Sequence, residues 1–139
     1  MNYFLTALAS KHSGSALHSY VGGRMYLDVY PKDLLPVKYP YVVYFIVSDI
    51  NMATFTEGLD EITIQYSLFS ASEGATEITT MYNNLKTLLD DCTLSITGST
   101  FVSMERQDLS TSYEEITTQE GTVGITHWSV DYLVRVKDL

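Results

Sequence analysis

Three histidines, one cysteine, three adjacent carboxylate pairs and a Gly-Gly-Arg turn are the residues of this 139-residue chain from which chemistry could be built. His12 and His18 stand six residues apart in a helical region, and that spacing does not bring two rings onto one face as a four-residue spacing would. They read as surface or cap residues. His127 heads an alternating segment with Asp131 on the same face, but four residues of strand separate them by roughly 13 Å, which is no acid–base dyad. In Asp60-Glu61, Asp90-Asp91 and Glu114-Glu115 the carboxylates are sequence neighbours whose side chains diverge in an extended chain, so solvated surface is the reading. Gly22-Gly23-Arg24 lacks the preceding strand and following helix of a phosphate-binding loop and reads as a helix stop with a turn. No serine sits in a nucleophile elbow. Cys92 is the single cysteine, so no intrachain disulfide forms, and its place on an apolar stripe is that of a buried small hydrophobe. No catalytic residue, cofactor site or metal site is expected, and the sequence does not read as an enzyme.

The elements around these residues are set by hydrophobic period. Residues 61–68 alternate apolar and polar side chains, the mark of a strand with one buried face. The period then changes to about 3.6. Ser70 and Glu73 have capping-box spacing, and Ala75, Ile78, Met81, Tyr82, Leu85, Leu88, Leu89 and Cys92 follow along one stripe, which predicts a long amphipathic helix. Upstream, Tyr3, Phe4, Leu5, Ala7 and Leu8 form a helical stripe, a second short helix is expected over residues 15–20, and residues 24–30 are extended. Pro31, Pro36 and Pro40 share the next loop. Residues 41–47 are a continuous run of β-branched and aromatic residues, which suits a strand covered on both faces, the second cover coming from another subunit.

Residues 50–60 are expected to be a connection. Leu94 and Ile96 start a strand that Gly98 interrupts and residues 100–106 resume. The closing strand, residues 127–136, points Trp128, Val130, Tyr132, Val134 and Val136 one way; on the other side Leu133 is the sole apolar residue, so that face is not wholly solvated. Between these two lies the acidic segment 107–122, a loop long enough to be either mobile or functional, with an extended hairpin whose ordering needs a neighbour as a further reading; its low apolar content predicts mobility in the free subunit. The expected architecture is one α+β domain over residues 1–139. An antiparallel sheet carries one long helix on one face, with short N-terminal helices beside it. Its expected core is Leu5 and Leu8, Val43 and Phe45, Ile62, Ile64, Tyr66 and Leu68, Ile78, Leu85, Leu88 and Leu89, and Trp128, Val130, Tyr132 and Val134.

Eight basic against seventeen acidic residues give a net charge of -9, which argues against a protein that grips phosphate backbones. The charge is uneven: residues 1–48 carry four basic and two acidic groups, residues 49–131 two basic and fourteen acidic. Eleven tyrosines suit surfaces that meet other surfaces. The first residues lack the basic start and apolar core of a signal peptide, no window approaches the ~20 apolar residues of a membrane span, and a reducing cytoplasm is the expected place of synthesis.

The leading helix at residues 3–8, LHSYVGGRMY at 17–26, YPYVVYFIVS at 39–48, the strand IQYSLFS followed by the helix EITTMYNNLKTLL within 62–89, and SVDYLVRV at 129–136 occur in an order that resembles one family. It is that of the head-to-tail joining, or tail-completion, proteins of long-tailed bacteriophages and prophages, which are similar in fold to the tail terminators. The resemblance implies a structural virion protein of the neck, made in the host cytoplasm. It would form a homo-hexameric ring that joins the head connector, or adaptor, to the tail tube protein and lets DNA pass without specific binding, with no membrane partner. In that setting Tyr41, Val43, Tyr44 and Phe45 are the candidate subunit-packing strand. Glu114, Glu115 and Glu120 would dock on an adjoining ring or line the channel and repel DNA phosphates. The segment 109–121 departs from the family pattern by its length and acidity. The alternative is a small α+β ligand-binding or regulatory module that dimerises.

Overall fold

The computed structural model describes residues 1–52 and 58–139. Helices α1 (Asn2–His12) and α2 (Ala16–Tyr20) lead to a short strand β1 (Met25–Leu27), a single 3-10 turn (Lys32–Leu34) and strand β2 (Tyr41–Asn51). Strand β3 (Leu59–Ser70), helix α3 (Thr76–Leu89) and two long strands, β4 (Thr100–Thr118) and β5 (Gly121–Lys137), complete the α+β fold. The sheet order is β1-β2-β3-β5-β4. Its pairs are antiparallel except β1 with β2, where Met25 to Leu27 run parallel to Val42 to Tyr44. The sheet is thus antiparallel as expected apart from one short parallel edge strand.

The helices cover one face of the sheet, and the core follows strand parity. Ile62, Ile64, Tyr66 and Leu68 of β3 and Val130, Tyr132, Val134 and Val136 of β5 are buried against Ile78, Met81, Leu85 and Leu89 of α3 and Phe4 and Leu8 of α1. The cover is thus shared by α3, 14 residues long, and α1, 11 residues long, rather than made by one long helix alone. Each buried aliphatic or aromatic side chain of this set contributes about 1.5–3 kcal/mol.

The α3 stripe begins at Thr76, after Gly74 at φ +75°, so Ser70 is no N-cap; its Oγ donates to Glu77 Oε1 in the first turn at 2.7 Å. Leu94 and Ile96 are buried as expected of apolar residues, but no strand forms there. Of the expected connection, Ile50, Asn51, Leu59 and Asp60 belong to β2 and β3, and residues 53–57 lie outside the described residues. Leu5, Leu88 and Trp128 are only partly buried against the core. In β2 it is Val42 and Tyr44 that face the helices, and Phe45 is not among the core residues.

Candidate assembly surfaces

The strand expected to pack between subunits divides by parity. Tyr44 is buried on the helix side, edge-on to His12 at 4.6 Å between ring centroids and stacked on Tyr66 at 5.7 Å. Tyr41, Val43 and Phe45 lie on the opposite face of the sheet, where Val43 is buried and Tyr41 and Phe45 are half-buried. Val47 continues that side of the run at 53% exposure. So three of the four candidate residues share one surface, and Tyr44 belongs to the core.

That outer surface carries a row of rings that no single segment of sequence contains. The cross-strand register sets Tyr41 beside Phe69 and Phe69 beside His127. Tyr41 and Phe69 stack at 4.6 Å and 15°, Phe69 and His127 at 4.3 Å and 9°. Tyr30 meets Tyr41 edge-on at 4.9 Å, Tyr26 meets Tyr30 at 5.0 Å, and Tyr39 leans on Tyr41. Such cross-strand aromatic pairs fix register and add roughly 0.2–1 kcal/mol each. Burial, then the neighbouring Tyr39 and Tyr30, pushes the Tyr41 phenol up to about 12. His127 is held below its ordinary range by burial, with Glu114 pulling it back, and its Nε2 lies 3.2 Å from Ser129 Oγ. Gln65 Nε2 donates to Asp131 Oδ1 at 3.0 Å, so Asp131 serves a cross-strand contact and not His127.

The acidic segment is the distal part of the β4–β5 hairpin. Pairing continues to Thr118 opposite Gly121, while β3 stops pairing with β5 at Ser70 opposite Thr126. The last five rungs therefore form a two-stranded arm that projects about 17 Å beyond the end of β3. Side chains of residues 110–117 are all exposed, among them Tyr113 at 63% and Ile116 at 44%. Glu114 and Glu115 stand on opposite faces of the arm, and Glu120 is in the turn. Tyr113 lies over Gly124: a Cβ built there would come within 2.1 Å of the phenolic oxygen, so the glycine makes room for the ring.

At the other edge of the sheet the proline loop forms a cleft of about 460 Å³ lined by Arg24, Tyr26, Tyr30, Leu34, Leu35 and Lys38, among others. Its shape is held from within. Arg24 Nε donates to the Pro40 carbonyl at 2.9 Å and Nη2 to that of Tyr39 at 3.3 Å. The Tyr30 hydroxyl accepts from the Lys38 amide and donates to the Leu34 carbonyl. Turn residues Gly22 and Gly23, both at positive φ, end α2 and aim the chain into β1, which is the role expected of Gly-Gly-Arg.

The remaining candidates for chemistry are placed as follows. His12 Nε2 lies 2.8 Å from the Tyr66 hydroxyl, and burial, then the charge of His18, lowers its pKa to about 4. Cys92 is half-buried, its Sγ 3.7 Å from Met104 Sδ; burial lifts the thiol, with Lys11 opposing. Asp90 accepts from the Tyr132 hydroxyl at 2.8 Å and pairs with Arg106 at 3.3 Å, which ties the end of α3 to the sheet. Asp49 on β2 is pushed up to about 6 by desolvation first and then by the hydrogen bond and charge of Asp60 on β3. That carboxylate pair escapes sequence reading because cross-strand register creates it. Among the described residues no group of three or more His, Cys, Asp or Glu gathers as a metal site would, and no helix is long and apolar enough to cross a membrane.

No protein-family model and no curated protein matches this sequence. The fold does have solved counterparts. A chain in the solved structure described as "Virion of native gene transfer agent (GTA) particle" superposes with a TM-score of 0.72 at 13% identity, over 95% of this chain and 92% of that one. At this identity the likeness is one of fold.

Proposed function

We propose that this protein is a structural component of a phage-like virion that forms a ring at the neck, joins the head connector to the tail tube and leaves a passage for DNA. The observation that carries the reading is the correspondence of fold, over nearly the full length of both chains, with a chain of a virion particle. The chain's own surfaces agree with it. Its sheet keeps an outer face with Tyr41, Phe69 and Val47 on it, and its β4 edge runs 19 residues with a projecting arm, which are more assembly surfaces than a solitary domain needs. A body of net charge -9 repels phosphate, so DNA slides through such a ring without sticking. In this reading Tyr41, Val43 and Phe45 meet a neighbouring part, and Glu114, Glu115 and Glu120 serve contacts or the channel wall.

The test is genetic and biochemical. Particles produced without this protein are expected to accumulate as filled heads and finished tails that fail to join, and the purified chain added back should join them. Joined, infectious or DNA-transferring particles in its absence would overturn the reading.

A further inference from the structure

The arm and the proline cleft lie at opposite edges of one sheet and carry opposite charge. Glu114 and Glu115 have no cation within ion-pairing distance among the described residues, and Arg24, Lys32 and Lys38 have no carboxylate. Both surfaces also leave apolar groups in water: Tyr113 and Ile116 on the arm, Leu34 and Leu35, at 50% and 60% exposure, at the cleft. Two surfaces with complementary charge and unsatisfied apolar area on one molecule are complementary to each other.

The arm cannot reach its own cleft. From β4 to β1 there are four strand spacings, about 19 Å across the sheet, and the arm runs along the strands rather than across them. The contact must join two molecules. We infer that the β4–β5 arm of one copy docks in the proline cleft of a second copy through the face that carries Glu114 and Ile116, the carboxylate opposite Lys38 of the cleft and the neighbouring Lys32, and the isoleucine against Leu34 and Leu35. Because the two surfaces differ, the interface is heterologous, and repetition of it generates a ring when the rotation closes and a filament when it does not. The occupant is a second copy because charge and apolar content match across the pair. This rests on the assembly reading above and names its contact. It also accounts for an arm too thin to bury its own side chains, since an isolated two-stranded hairpin is at best marginally stable.

Sedimentation over a concentration series tests it with four proteins: the unaltered chain, E114K, K32E/K38E and the combined variant. Arg24 is left in place because it holds the loop, and circular dichroism checks that each variant is folded. Each reversal alone should weaken self-association by about ten-fold or more, and the combined variant should recover to within about three-fold of the unaltered chain. Carbodiimide cross-linking of a mixed nitrogen-14 and nitrogen-15 sample should join Lys38 of one copy to Glu114 of another. Association that persists in all four proteins, or arm cross-links that run elsewhere, overturns this contact while leaving the assembly reading standing. A chain that stays monomeric throughout and yields no intermolecular cross-link overturns this contact, whereas the assembly reading falls only with the joining experiment.

Discussion

Folded His12 takes up a proton only near pH 4, whereas in the unfolded chain it does so near 6.5. Between those values the unfolded state binds more protons, so this contribution to stability is full above about pH 6.5 and is lost as pH falls toward 4. Integrated over that window it amounts to at most about 3 kcal/mol. Asp49 acts in the opposite sense. Its folded pKa of about 6 lies above the unfolded value, so its contribution grows as pH falls through 6 toward 4. The separation is made by His12→Gln: urea unfolding from pH 7 to 4.5 should show the unaltered chain losing stability relative to the variant, and parallel pH profiles would show that His12 is not the responsible group. Leu85, wholly buried under the sheet, gives a second residue-level test. Leu85→Ala should cost ~2 to 5 kcal/mol through the cavity left behind, and a loss under about half a kcal/mol would mean that α3 does not face the sheet as described.

At the scale of elements, period told more than composition. The alternating strands at residues 61–68 and 127–136 show their buried face in the sequence, and Ile62 through Leu68 and Val130 through Val134 are buried on it. The continuous run of β2 has no alternation to read, so the sequence does not separate Tyr44 from Tyr41 and Phe45, although tertiary packing sends it to the other side. The aromatic row joining Tyr30, Tyr41, Phe69 and His127 is made by register between distant segments, which one sequence does not display. The arm is one of the readings open to the acidic segment, an extended hairpin, but the sequence does not choose it over a loop. Its polar strand is ordered by backbone pairing with β5 rather than by an apolar face. Replacing Glu114, Glu115 and Glu120 by glutamine should therefore change thermal unfolding of the free chain by no more than about 0.5 kcal/mol, as for solvated charges, while lowering the yield of joined particles. Normal joining by the triple variant would leave these charges without a part in assembly.

For the molecule as a whole, charge and surface point the same way. The four basic and two acidic residues of positions 1–48 precede an acidic excess over 49–131, and the net charge of -9 is of the sign that repels phosphate, as the proposed ring requires. The most direct measurement is cryo-electron microscopy of intact particles that contain this protein. Density is expected at the junction of head and tail into which six copies fit as a ring, each β4–β5 arm reaching the proline cleft of its neighbour. A particle in which the chain is absent, or sits away from the junction as isolated copies, would contradict it.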